Sequence, residues 1–184
     1  GRRSAKAIFF GDASRPEFGE RLEELLVDRE AMVRATAACS LARAGSTAGR
    51  TVLLGLLEPF EVAAPATGTV RTVLGPGERV EAGRPAATIE LDDGSVAEVR
   101  AQLPGVIRRA RAVVGDAVAR GAPLLDVTPD AEVVFQAVTA LGAVGAESDL
   151  ASGAPFGDPR SGMPARVQAQ ARAAAAAIRA RAER

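Results

Sequence analysis

The chain has 184 residues, with 23 basic and 23 acidic side chains, so its formal net charge is zero. It contains no His, Trp or Tyr and a single Cys, Cys39. Those counts remove Ser–His–Asp and Cys–His catalysis, His-ligated metal, internal disulfides and thiolate zinc clusters, and the charge balance argues against a general nucleic-acid binder.

The length suits one domain or two small ones. Apolar residues make up 47% of the chain but aromatics only 3%, so the core must be built from many small contacts between alanine-rich elements. No uninterrupted apolar run reaches about 18 residues, the length of a membrane span. All basic residues but Lys6 are arginine. The start, Gly1-Arg2-Arg3-Ser4-Ala5-Lys6, is followed by Ile8-Phe9-Phe10, which is too short for a signal-peptide core. Residues 1–16 are expected to be a solvated tail. A membrane tether through a segment upstream of Gly1 is the other reading of that basic start. One Cys fits a reducing compartment, hence a cytoplasmic expectation.

In chain order, the first predicted helix is Glu17–Val27, with an apolar stripe of Phe18, Leu22, Leu25 and Leu26. An Ala-rich helix follows from an Asp28 cap to Gly45. Thr47–Leu57 is the next, striped by Val52, Leu53, Leu56 and Leu57. Proline in Glu58-Pro59-Phe60 then stops helix propagation.

The middle of the chain repeats itself. Gly77-x-x-Val80-x-x-Gly83-x-Pro85 returns as Gly115-x-x-Val118-x-x-Gly121-x-Pro123, an offset of 38. Gly68 and Val70 return as Gly105 and Ile107, an offset of 37. Short β-branched runs punctuated by Gly and Pro predict two four-stranded halves related by a pseudo-twofold axis. Asp92-Asp93-Gly94 predicts a tight hairpin at their junction, because Gly accepts the positive φ of such a turn.

After Thr128-Pro129-Asp130, a second helix runs from the Asp130 cap to Gly145. Its Val133, Ala137, Leu141 and Gly145 repeat Val33, Ala37, Leu41 and Gly45 at an offset of 100, along one helix face. Val167, Ala171 and Ala175 form a weaker third copy at an offset of 34. Ser152–Pro164 is Gly/Pro-rich and reads as an irregular loop. Ala165–Arg184 reads as a terminal helix whose arginines suit a polar solenoid cap.

Two resemblances follow from these residues. Ala64-Pro65-x-x-Gly68-x-Val70, the two Gly-x-x-Val-x-x-Gly blocks and Leu103-Pro104-Gly105-Val106-Ile107 resemble the biotinyl/lipoyl-attachment domain, a flattened β-sandwich or hammerhead. Val33-Arg34, Ala37-Ala38 and Leu41-Ala42 resemble HEAT-type helical repeats. Removing residues 61–128 restores a repeat length of about 30–35, within the solenoid range.

The expected fold is therefore α+β. A short α-solenoid over 17–60 and 129–184 is interrupted by a β domain over 61–128. The attachment family implies an acylated lysine at the central hairpin tip. Here that tip is Asp92-Asp93-Gly94-Ser95, so the scaffold carries over and the carrier chemistry does not.

No residue qualifies as catalytic, cofactor-binding or metal-ligating. Gly75-Pro76-Gly77-Glu78-Arg79-Val80 lacks the last glycine of a dinucleotide fingerprint and reads as a turn. Asp92-Asp93 lacks further cation ligands. Cys39 has no base beside it and reads as a buried thiol, and Glu23-Glu24 reads as a solvated helix face. The arginines Arg100, Arg108, Arg109 and Arg111, and those at 166, 172, 179, 181 and 184, read as solvated faces. Without aromatics for stacking they make a poor nucleic-acid surface.

The expected function is non-enzymatic: a scaffold for an unidentified protein partner, with neither a cofactor nor a small-molecule substrate. Two alternatives stand beside it. One is an envelope assembly or adaptor factor associated with a membrane. The other is a degenerate carrier-like partner of a carboxylase or dehydrogenase complex.

Overall fold

The computed structural model describes residues 16–184. The expectations for the basic start, Lys6 and Ile8-Phe9-Phe10 lie outside the described residues. The chain is α+β, with helices on either side of eight antiparallel strands in sequence. Helix α1 (Pro16–Glu24) runs into a 3-10 turn, Leu25–Val27, and is followed by α2 (Ala31–Arg43) and α3 (Arg50–Gly55). Helices α4 (Ala131–Val144), α5 (Leu150–Gly157) and α6 (Ala165–Ala182) follow the strands.

Helix α2 packs on α1, α3 and α4, α3 also packs on α4, and α6 packs on both α4 and α5. Thus α3 and α4, which pack together, are separated in sequence by the whole β region. Their shared core holds Leu53, Leu57, Val134, Leu141 and Val167. The abundant alanine has a structural use here, since small side chains let backbones approach. A Cβ on Gly49 would lie 2.6 Å from Ala38 Cα, and one on Gly142 would lie 3.2 Å from Ala174 Cβ. Interiors this close-packed leave no room for an added methyl group.

The strands are β1 (Phe60–Ala63), β2 (Gly68–Val73), β3 (Arg79–Val80) and β4 (Pro85–Glu90), then β5 (Val96–Arg100), β6 (Gly105–Ala110), β7 (Ala117–Val118) and β8 (Pro123–Pro129). They form two sheets, ordered β1-β8-β6-β3 and β5-β4-β2-β7. Exchanging the first four strands with the last four converts one order into the other, so the halves are pseudo-symmetric, as the internal repeat predicts. The irregularities match as well. The β2–β4 register shifts between Val70 and Thr72, and the β6–β8 register between Ile107 and Arg109. Val70, Ile89, Ile107, Leu124 and Val127 share one core between the sheets.

Hairpin β4–β5 turns as expected: Gly94 N–H donates to Leu91 O at 2.9 Å, and Gly94 has φ +79. Gly75–Glu78 is a turn, in which Gly77 N–H donates to Ile107 O and Ile107 N–H to Glu78 O.

Helix and sheet share a seam. Phe60 packs against both cores, and Leu103, between β5 and β6, is buried in the helical one. Asp130 caps α4 by accepting from Glu132 N–H at 2.8 Å, and its other oxygen pairs with Arg79 of β3.

Several local expectations need correcting. Ser152–Pro164 is not an irregular loop: α5 and a 3-10 turn, Pro159–Ser161, occupy it. Phe156, partly buried, packs on the helical core, and α5 forms with Pro155 inside it. The residue capping α2 is Glu30 rather than Asp28, whose carboxylate instead accepts from Glu30 N–H at 2.7 Å. Gly45 ends α2 with φ +80, but Gly145 has φ −64. A Cβ on Gly145 would stand 2.6 Å from Leu141 O, a backbone atom, so close approach rather than a positive φ demands glycine there. In α6 the buried face is Val167, Ala171, Ala174 and Ile178, and Ala175 lies at its margin. On α1 the predicted stripe is only partly covered, with Phe18 exposed.

Candidate functional site

A recess lies where the helices meet the sheets. One cleft of about 550 Å³ is walled by α2, α3 and β1. A second, also about 550 Å³, continues along the start of α2 and shares Ala31, Arg100 and Gln102 with the first. Its floor is apolar, from Val52, Leu56, Phe60, Val62 and Leu103. The sequence puts these residues together indirectly. The stripe of α3 buries Leu53 and Leu57 in the helical core and leaves Val52 half-buried at the cleft, while β1 alternates Val62 inward with Glu61 and Ala63 outward.

Charge is confined to the rim. Arg34 of α2 donates to the carbonyls of Asp28 (2.7 Å) and Arg29 (3.1 Å), which fixes the turn before the helix. Arg100 at the end of β5 pairs with Glu98 and donates to Gly83 O. Glu61 pairs with Arg111 at 2.7 Å, and Arg111 also holds the buried Asp126 at 2.8 Å. Apolar walls with a few placed polar groups are the usual make-up of a binding recess.

Other candidate residues lie apart from this cleft. Asp93, at the hairpin tip, accepts from Ser95 Oγ (2.6 Å) and Ser95 N–H (2.9 Å). The Ser95 hydroxyl, first among these, holds its carboxyl below the usual carboxylate range. Among the described residues no group of three or more His, Cys, Asp or Glu stands close enough to hold a metal ion. Cys39 is buried in the helical core, and burial pushes its thiol pKa up against the opposing charge of Arg43. Glu23 and Glu24 are exposed.

Most of the singled-out arginines are ties within the molecule. Arg166 bonds Glu132 at 2.8 Å and lies 5.3 Å from the Phe135 ring centroid. Arg172 donates to Gly157 O, and Arg181 to the carbonyls of Gly142 and Gly145. Sequence reasoning missed the cleft, because its walls come from segments separated by up to about seventy residues and no local pattern announces their meeting.

No protein-family model matches the chain, and no curated protein matches it. Among solved structures it is similar to a single-chain, multi-domain long-chain acyl-CoA carboxylase at 25% identity and a TM-score of 0.37. That similarity covers 39% of this chain and 7% of the carboxylase. Among the described residues no helix is long and apolar enough to cross a membrane.

Proposed function

We propose that this chain is a non-catalytic interaction module. Residues 17–60 and 129–184 form a HEAT-like helical layer, and residues 61–128 are a biotinyl/lipoyl-like sandwich inserted into its middle helix pair. The observation that carries the reading is the seam cleft, whose apolar floor and charged rim are contributed jointly by helices and strands. The matching sheet orders support the sandwich likeness. Helix pairing on either side of the strands supports the insertion. The work of the module is to hold a protein partner in that cleft, in the cytoplasm.

The envelope-adaptor alternative rests on a likeness to hammerhead modules of export-pump adaptors, which carry a long helical hairpin between the two halves, and here a tight turn joins β4 to β5 instead. The carrier alternative needs a tip amine, and Asp92-Asp93-Gly94-Ser95 offers carboxylates and a hydroxyl.

Photo-crosslinking tests the reading. A benzoylphenylalanine placed at Val52 in the cleft should capture a discrete protein in the source cells, and one at Ala173 on the exposed side of α6 should not. Equal capture at both positions, or a turnover activity abolished by a single change in the cleft, would overturn it.

A further inference from the structure

The cleft contains an open sheet edge. Strand β1 pairs with β8 on one side only, and all four of its residues border the recess. The β1–β8 register skips Leu124 on β8, so β1 itself stays regular. Just beyond it, Ala64 N–H donates to Ala122 O, and Ala64 O accepts from Gly121 N–H. Backbone groups alternate sides along a strand. Those of Glu61 and Ala63 therefore point away from β8, into the cleft. An edge of this kind is a template for one more strand.

The surrounding side chains narrow what that strand carries. Val52 and Leu56 face the edge from α3 and offer apolar seats. Arg34 and Arg100 stand on the rim, with Arg29 beyond them in the adjoining cleft. Arg34 gives its hydrogen bonds to backbone carbonyls rather than to a carboxylate. The acids nearby are Glu61, already paired with Arg111, Glu98, paired with Arg100, and Glu30. The charge left over at that end of the cleft is that of Arg34, and a guanidinium's planar donor fork matches a carboxylate.

The geometry points to strand addition: an extended peptide segment of a partner protein pairs its backbone with Glu61 and Ala63. Its apolar side chains rest on Val52 and Leu56, and an acidic residue at one end meets Arg34. This rests on the interaction reading above and adds the mode of recognition.

Gly55 supplies the test. It borders the cleft on the last residue of α3, and a Cβ built there meets nothing within 4 Å. Gly55→Trp therefore has open space at its Cβ and adds bulk at the border of the recess, and circular dichroism and a melting curve check that the core is kept. The full chain is panned against random peptides displayed on phage. Proline-free sequences that alternate apolar residues and end in Asp or Glu should be enriched. A synthetic copy should lose about tenfold in affinity, near 1.4 kcal/mol, on N-methylation of alternate residues, with Gly55→Trp, and with Arg34→Gln.

No enrichment, peptides without carboxylates, or binding indifferent to N-methylation or to Gly55→Trp would overturn the assignment. So would a dimer of the chain, seen by ultracentrifugation, that Gly55→Trp dissociates. A partner crosslinked from Val52 together with indifference to N-methylation removes strand addition alone. Uniform crosslinking from Val52 and Ala173 removes the interaction reading itself.

Discussion

Arg50 and Asp149 are 99 residues apart in sequence, yet the guanidinium grips the carboxylate with two hydrogen bonds of 2.6 Å each. Arg50 opens α3 and Asp149 immediately precedes α5, so this pair ties the middle helix pair to the last one. Asp149 is almost fully buried and also accepts from Ala146 N–H at 2.8 Å. A buried charge with every partner in place fixes one arrangement, and losing a partner is costly.

Replacing Asp149 with Ala leaves the Ala146 N–H and the Arg50 guanidinium without their acceptor. The expected loss is about 2–3 kcal/mol of folding free energy, read as a lower urea midpoint at an unchanged slope. A midpoint within error of the parent protein would show that the pair contributes nothing.

The same residue sets an acid limb. Asp149 is held below the usual carboxylate range chiefly by the Arg50 hydrogen bond, against the opposing effect of burial. A carboxyl whose folded pKa is depressed stabilises the fold above its unfolded value of about 4, and that contribution is lost as pH falls further. Stability should therefore decline from about pH 4 downward, and Asp149→Asn should flatten that decline. Asp93, Glu132 and Asp158 are shifted the same way but are open to solvent, which screens them. Urea midpoints measured across the acid range for both proteins decide the point.

Gly68 and Gly105 hold equivalent places in the two halves, and both are closed in by neighbours. A Cβ on Gly68 would press on Glu90 O and stand 2.7 Å from Ile89 Cγ2, and one on Gly105 would stand 2.5 Å from Thr128 O. Gly68→Ala and Gly105→Ala should each cost about 2–3 kcal/mol through overpacking. Thermal melts should show two similar losses, because the contacts are repeated by symmetry. A large loss at one site and none at the other would break the equivalence.

Cys39 should resist alkylation in the folded protein. It is 8% exposed, and burial keeps its thiol protonated at neutral pH. Iodoacetamide labelling followed by mass spectrometry should track the unfolding equilibrium in urea, so that Asp149→Ala speeds it. Rapid labelling of the native protein, unaffected by stability, would contradict the burial.

Much of the β region was legible from residue spacing. The offsets of 37 and 38 between paired glycines are the trace of its pseudo-twofold symmetry. They differ because the β6–β7 connection is one residue longer than the β2–β3 one. Helical periodicity located all the helices but α5. There Gly153, Pro155 and Gly157 looked like a loop, and the helix forms with Phe156 packed on the core. Asp158-Pro159 was a readable start signal for the short turn that follows, with Asp158 accepting from Arg160 N–H.

The arginines divide along the same line. Their number is a matter of composition, but the partners of Arg50, Arg79, Arg166 and Arg181 lie 34 to 99 residues away. What the sequence determined by itself was local: which stretches are helix or strand, where the chain turns on glycine, and that one half of the sandwich copies the other. Tertiary structure alone decided which charges pair and where the sheet edge meets α2 and α3. Conformational preference acts over a few neighbouring residues, whereas a cleft exists only once distant surfaces have packed.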